Sequence, residues 1–166
     1  LKGDVLNVSP GEHLEQGLWR ATVISNVGSG DDVPTQEEMT KLSHNIPTQF
    51  SSAALAEAAA FPSQPCLAEG GDEWTGREDL RHLDFVTIDG ARAKDFDDAI
   101  YVQRKDKSFV LFVSIADVSY YVHQGSALDN DAVERGNSYY FVQSVEPMLP
   151  EHLSNGLCSL KPLENR

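Results

Sequence analysis

Four aspartates, Asp89, Asp95, Asp97 and Asp98, fall within ten positions in the stretch Thr87-Ile88-Asp89-Gly90-Ala91-Arg92-Ala93-Lys94-Asp95-Phe96-Asp97-Asp98-Ala99-Ile100. Like charges this dense do not all ionise freely unless a cation lowers their shared titration. Every donor is a hard carboxylate oxygen. That suits Mg²⁺, which is satisfied by a few carboxylates together with water and a substrate phosphate, with Mn²⁺ as the substitute. A solvated acidic loop has the same composition. The flanks argue against it, because Phe85–Ile88 and Ala99–Val102 are strand-like and set the acids between two core elements. An EF-hand fails on spacing, since the acids do not alternate before a central glycine and no glutamate closes a twelve-residue loop. A phosphatase-type pair of acids fits poorly, because Arg92-Ala93-Lys94 precedes Asp95 where an apolar strand would be needed. The chemistry such a cluster supports is phosphodiester hydrolysis, in which one or two metal ions neutralise the scissile phosphate and activate water.

The elements that must hold these acids are of mixed type. From Leu83 the pattern turns to β: Phe85–Ile88, then Ala99–Gln103, a turn at Lys105-Asp106-Lys107-Ser108, and Phe109–Ile115 returning as a hairpin partner. Ser126 caps an expected helix to Arg135, with Gly136 just past its end, and strand character resumes over Tyr139–Val142. Upstream, Gly17–Ile24 contains a short strand-like run that would close a preceding small β domain, and Gly28–Asp32 has the composition of a linker. Pro34, with Glu37 and Glu38 in the opening turn, predicts a helix to about His44. Ser51 or Ser52 caps a second helix from Ala53 to Ala60, stopped by Pro62, whose alanines are simple helix filler. The Pro-, Gly- and acid-rich stretch from Pro62 to Trp74 reads as a connecting loop. The fold class expected is α+β, with a mixed or antiparallel sheet and flanking helices.

The 166 residues are of one-domain size and 40% apolar, enough for a core. A net charge of -13 is unexpected for a chain that should grip a polyanion, so bound metal and basic surface from elsewhere would have to offset it. Cys66 and Cys158 are too few for a disulfide framework, which makes a reducing, cytoplasmic location the default, and Cys158 sits in an apolar motif as a small core residue. The five histidines, His13, His44, His82, His123 and His152, lack ligand-like spacing and read as structural or surface residues. No apolar run is long enough to span a membrane and no signal-like start is visible, while the opening Leu1 suggests a piece of something longer.

The acid stretch is followed in order by Val113-Ser114-Ile115-Ala116-Asp117-Val118-Ser119-Tyr120-Tyr121-Val122. A third motif follows, Pro147-Met148-Leu149-Pro150-Glu151-His152-Leu153-Ser154-Asn155-Gly156-Leu157-Cys158-Ser159-Leu160. Together these resemble the catalytic RNB domain of ribonuclease II and ribonuclease R, and Asn45–Phe50 and Arg77–Arg81 resemble the segment leading into it. The resemblance is strong over residues 75–166 and looser over 45–74. It implies a division into residues 1–30 as the end of an OB-like β domain, 31–74 as a helical linker segment, and 75–166 as the N-terminal part of an RNB domain. It also implies a hydrolytic 3′→5′ exoribonuclease that acts on single-stranded RNA and releases nucleoside 5′-monophosphates. Asp89, Asp95, Asp97 and Asp98 match the family's metal-holding acids, with Asp97 as the acid whose loss abolishes chemistry but spares RNA binding. Tyr140, five residues after Arg135, matches a tyrosine that contacts RNA near the cleaved end; strand geometry alone would leave Tyr139, Tyr140 and Phe141 alternating between core and surface. Asp117 reads as structural, capping a turn by hydrogen bonding to the backbone.

Several positions depart from the family pattern. Ala91 and Arg92 stand where acidic or hydroxyl residues are frequent, Tyr120 where histidine is common, and Val142 where proline is usual. The family's domain continues beyond the counterpart of Arg166, so a second chain or fragment completing the domain is an expected partner beside RNA. Two other readings stay open on the residues: a non-catalytic RNA-binding relative, and an unrelated acidic metal-binding module. Four intact, mutually repelling acids favour the catalytic reading over the first of these.

Overall fold

The computed structural model describes residues 2–63, 76–164 and 166. The expected loop from Pro62 to Trp74, and Cys66 with it, falls mostly outside the described residues. The chain divides into two compact units. One comprises residues 1–48 and 139–146, the other residues 49–138 and 147–166.

The first unit opens with two twelve-residue strands, β1 (Asp4–Glu15) and β2 (Leu18–Ser29), paired antiparallel. Only the first part of β2 was legible as a strand, and its end takes in Gly28 and Ser29 of the expected linker. Pro10-Gly11 masks β1 in the sequence by looking like a turn, yet the register shifts between Pro10 and His13, an irregularity of the kind at which a strand tolerates proline. Helix α1 (Val33–Ser43) follows with a proline in its first turn, as expected. Its acids are one turn later than predicted, because the helix begins at Val33 and Glu37 points into the protein, buried, instead of lying in the opening turn. The carboxylate of Glu37 accepts hydrogen bonds from the backbone N–H of Gln143 and the hydroxyl of Ser144, each at 2.7 Å. These bonds, led by that from Ser144, hold its pKa below the usual carboxylate range. They fasten a small hairpin of two-residue strands, β5 (Tyr139–Tyr140) and β6 (Val145–Glu146). The strand expected over Tyr139–Val142 therefore stops at Tyr140, where the chain turns and Phe141 N–H bonds to the Ser144 carbonyl at 2.8 Å.

The second unit holds the core. Helix α2 (Ser52–Ala60) is capped by Ser51, whose hydroxyl accepts from Ala54 N–H at 3.1 Å, and it packs against α4 (Ala127–Arg135), capped by Ser126 and ended by Gly136 at φ 75°. The alanines of α2 are more than filler. Ala54 and Ala58, one turn apart on the same face, are buried and let α4 bring Leu128 into a cluster with Tyr121, Leu149, Leu153, Leu157 and Cys158. Strands β3 (Asp98–Lys105) and β4 (Ser108–Ile115) form a regular hairpin, longer at β3 than the pattern suggested. Phe85–Ile88 contributes only a single bridge, Val86 to Ile100, and is not a strand. A β-branched run without a second rung of partners remains extended coil. Helix α3 is one turn, Val118–Tyr121. The α+β class and antiparallel pairing agree with the sequence, but the strands form three separate two-stranded ladders and no larger sheet among the described residues.

Candidate active site

The loop over residues 91–97 has no ladder of its own, and its shape comes from the segments behind it. Ala116 N–H bonds to the Asp97 carbonyl and Leu160 N–H to the Phe96 carbonyl, both at 2.9 Å. The hydroxyl of Ser159 accepts from Phe96 N–H at 3.1 Å and donates to the Lys94 carbonyl at 2.7 Å. Asp98 then starts β3 opposite Ile115. The second and third motifs of the sequence are thus the wall that holds the first.

On this loop Asp89, Asp97 and Asp98 are exposed and Asp95 is half-buried. Neighbouring atoms strip water from the Asp97 carboxyl and push its pKa up, and repulsion from Asp95, Asp89 and Asp98 adds to that rise in this order. The four acids of the sequence therefore share one electrostatic environment centred on Asp97. Among the described residues no Lys or Arg forms an ion pair with Asp89, Asp97 or Asp98. Nor do three or more His, Cys, Asp or Glu side chains among them converge into a preformed cage. This donor set fits a hard divalent ion of the Mg²⁺ type, which is held through one or two carboxylates and completes its octahedron with water and phosphate.

Asp117 corrects its expected role. It stands at the start of α3 without capping it, and instead pairs with Arg77 at 2.6 Å and accepts from the Ser119 hydroxyl at 3.2 Å. Arg77 also lies 5.1 Å from the ring centre of Tyr120, the position where the family commonly has histidine. A cation held this way outcompetes the weak local turn bond that the sequence suggested. Cys158 is buried, and its thiol is pushed up to about 11, chiefly by burial and then by Asp97, which places the core cysteine directly behind the acid loop. His152 is structural, with Nε2 3.1 Å from the Phe61 carbonyl.

Tyr140 belongs to the other unit. It is 65% exposed and lines an open cleft of about 540 Å³ with Val33, Gln36, Thr40, Phe141 and Val142. Tyr139, its neighbour, is half-buried, as the alternation of strand faces requires. The hairpin that presents Tyr140 is held by Glu37 and by Lys41, which pairs with Glu146 at 2.6 Å and lies 5.2 Å from the Phe141 ring centre. The sequence offered Glu37 only as a helix-opening acid and did not single out Lys41. Their partners lie more than a hundred residues away, and no local pattern marks them.

A family model for the RNB domain matches residues 77–166. Among curated proteins, ribonuclease R of Acidithiobacillus ferrooxidans is 43% identical over 164 residues, which are 98% of this chain and 35% of the relative. Ribonuclease R of Escherichia coli (strain K12) is 45% identical over 143 residues, 85% of this chain and 16% of the relative. Among solved structures, Mycoplasma genitalium RNase R in complex with double-stranded RNA superposes with a TM-score of 0.80 and 33% identity, over 98% of this chain and 28% of that one. The apo form of the same protein gives 0.75 and 36%, over 88% of this chain and 22% of that one. The chain spans at most 35% of the length of these relatives.

Proposed function

The chain belongs to the RNB domain family, that of ribonuclease II and ribonuclease R, and from that premise we propose that it carries the acid-bearing part of a hydrolytic 3′→5′ exoribonuclease. The substrate is single-stranded RNA and the products are nucleoside 5′-monophosphates. The reading rests on one observation: Asp97 is held on a tethered loop with its carboxyl pushed up by partial burial and then by three neighbouring carboxylates. Similarity to RNase R structures solved with RNA supports the substrate class.

Asp89, Asp95, Asp97 and Asp98 are the residues that would hold Mg²⁺, or Mn²⁺ in its place. When bound, the ion neutralises charge on the scissile phosphate and lowers the pKa of an attacking water. Asp97 orients that water through its carboxylate, while the neutral backbone bonds from Ala116 and Leu160 keep the loop from relaxing away from its own repulsion. Tyr140 offers an exposed aromatic face on which a base stacks without its sequence being read.

With a net charge of -13, the chain does not supply the basic RNA channel by itself. A second chain or fragment completing the RNB domain would bring it. One face of the β3–β4 hairpin supports this, because Phe109, Leu111, Val113 and Ile115 line it and each is more than half exposed, an apolar row suited to a packed partner. No described helix is long and apolar enough to cross a membrane, and a cytoplasmic location fits the buried, unpaired thiol of Cys158.

A time course on 5′-labelled single-stranded RNA tests the reading. Shortening from the 3′ end is expected with Mg²⁺ and not with EDTA, and Asp97→Asn should bind RNA and cut nothing. Cleavage retained in Asp97→Asn removes its role, and RNA binding indifferent to Mg²⁺ without any cleavage favours a non-catalytic relative.

A further inference from the structure

Ser159 is fully buried, with 0% of its surface exposed. A buried hydroxyl is tolerated only where its bonds are made, and here both are made to one target. It accepts from Phe96 N–H at 3.1 Å and donates to the Lys94 carbonyl at 2.7 Å, so it brackets Asp95 from either side and ends one residue short of Asp97. Ser159 is itself anchored. Its N–H bonds to the Gly156 carbonyl at 3.0 Å, and its carbonyl accepts from Lys161 N–H at 2.9 Å and from Arg166 Nε at 3.0 Å. The next residue, Leu160, holds the Phe96 carbonyl through its own N–H. Core packing fixes the segment from the other side through Leu157 and Cys158.

From this geometry we infer that Ser159 is a positioning residue, whose hydroxyl sets the shape of the loop that presents Asp95 and Asp97 to a divalent ion. The inference rests on the metal-binding reading of the acid cluster given above. A hydroxyl is required because it donates to a carbonyl and accepts from an N–H two residues later, whereas alanine would remove both bonds. Deleting partners that orient metal-binding side chains typically weakens metal affinity or activity by about 10–100-fold, and an effect of that size is expected here.

The test uses Mn²⁺ binding by the chain, followed by calorimetric titration, so that it does not depend on turnover. Ser159→Ala should bind Mn²⁺ about 10–100-fold more weakly than the parent. Ser159→Thr, which keeps the hydroxyl, should recover most of that loss. Ser51→Ala, which loosens a helix cap outside the acid loop, should leave Mn²⁺ binding unchanged. Hydrogen exchange supplies a second measurement should the alanine variant not fold: Mg²⁺ should slow exchange of the Phe96 amide in the parent protein more than that of the Ala54 amide. Equal Mn²⁺ affinity in Ser159→Ala and the parent overturns the inference, as does a loss of the same size in Ser51→Ala, or equal slowing of the two amides by bound Mg²⁺. A parent chain that binds no Mn²⁺ at all overturns the metal reading, and this inference with it.

Discussion

Asp97→Asn should make the metal-free protein more stable while removing the catalysis proposed above. Two residues apart on an extended chain, Asp95 and Asp97 are separated by about 6.6 Å along the backbone. At that distance two unit charges repel by about 0.6 kcal/mol in bulk water and about 2.5 kcal/mol at an effective dielectric constant of about 20. Asp97 is exposed, which favours the water end of that range. With Asp89 and Asp98 also contributing, the relief on neutralising residue 97, discounted for solvent screening at these exposed groups, is about 0.5–1 kcal/mol, or about 1–4 °C in Tm for a chain of this size. The sign follows from the direction of the shift. A carboxyl raised above its ordinary value of 3.8 favours folding below that value and loses the contribution as pH rises through the raised value. The advantage of Asp97→Asn should therefore appear at neutral pH and vanish near pH 3. Magnesium reverses the comparison, since the parent gains about 1.4 kcal/mol at an ion concentration ten times Kd and the variant gains little. Thermal unfolding in EDTA and in Mg²⁺, at neutral and acid pH, measures all of these terms. A variant less stable than the parent in EDTA at pH 7 would refute the reasoning, because it would mean that the Asp97 carboxylate takes part in a stabilising contact and not in a repulsive cluster.

Other outcomes follow from the packing and the exposed surface. Leu128→Ala empties a fully buried site facing Ala54 and Ala58 and should cost about 2–5 kcal/mol in denaturant titration. Removing the cap with Ser51→Ala should cost only about 1 kcal/mol by the same measurement. Tyr140→Ala should leave stability nearly unchanged, since the ring is exposed, and weaken single-stranded RNA binding by about 1–3 kcal/mol, readable by fluorescence anisotropy. In a Cys66→Ser background, Cys158 should resist maleimide at pH 8 until urea unfolds the chain, because its thiol is pushed up to about 11 and buried.

What was legible in the sequence was local. Ser51 and Ser126 announced their helices because a cap acts on an N–H three residues away, and the β3–β4 hairpin was visible because both strands and their turn are contiguous. The acid cluster was visible for the same reason, since its four members are close in sequence. Elements whose identity depends on a distant partner were not. Phe85–Ile88 has the composition of a strand and finds one bridge, while β1 hides behind Pro10-Gly11 and exists because β2 pairs with it. Glu37 looked like a helix-opening acid, yet it serves a hairpin more than a hundred residues on. Ala54 and Ala58 looked like filler because nothing local shows that α4 closes on them.

The separation of the motifs has a physical explanation in the same terms. A loop carrying four carboxylates gains by opening, since each step apart lowers its repulsion, and an ion pair with a local Lys or Arg would be the simplest way to hold it shut. Such a pair would also occupy the charge that a divalent ion is meant to meet. Uncharged bonds hold the loop from behind: Ala116 N–H from the second motif, and Leu160 N–H and the Ser159 hydroxyl from the third. Arg77, the cation near the second motif, is paired with Asp117. On the reading proposed above, the repulsion at Asp97 is retained in the folded chain and would drive cation binding. On the metal-binding reading proposed above, motifs two and three serve the chemistry of the first although neither would contribute a metal-binding acid, and Ser159, at the back of the loop, is where that dependence can be measured.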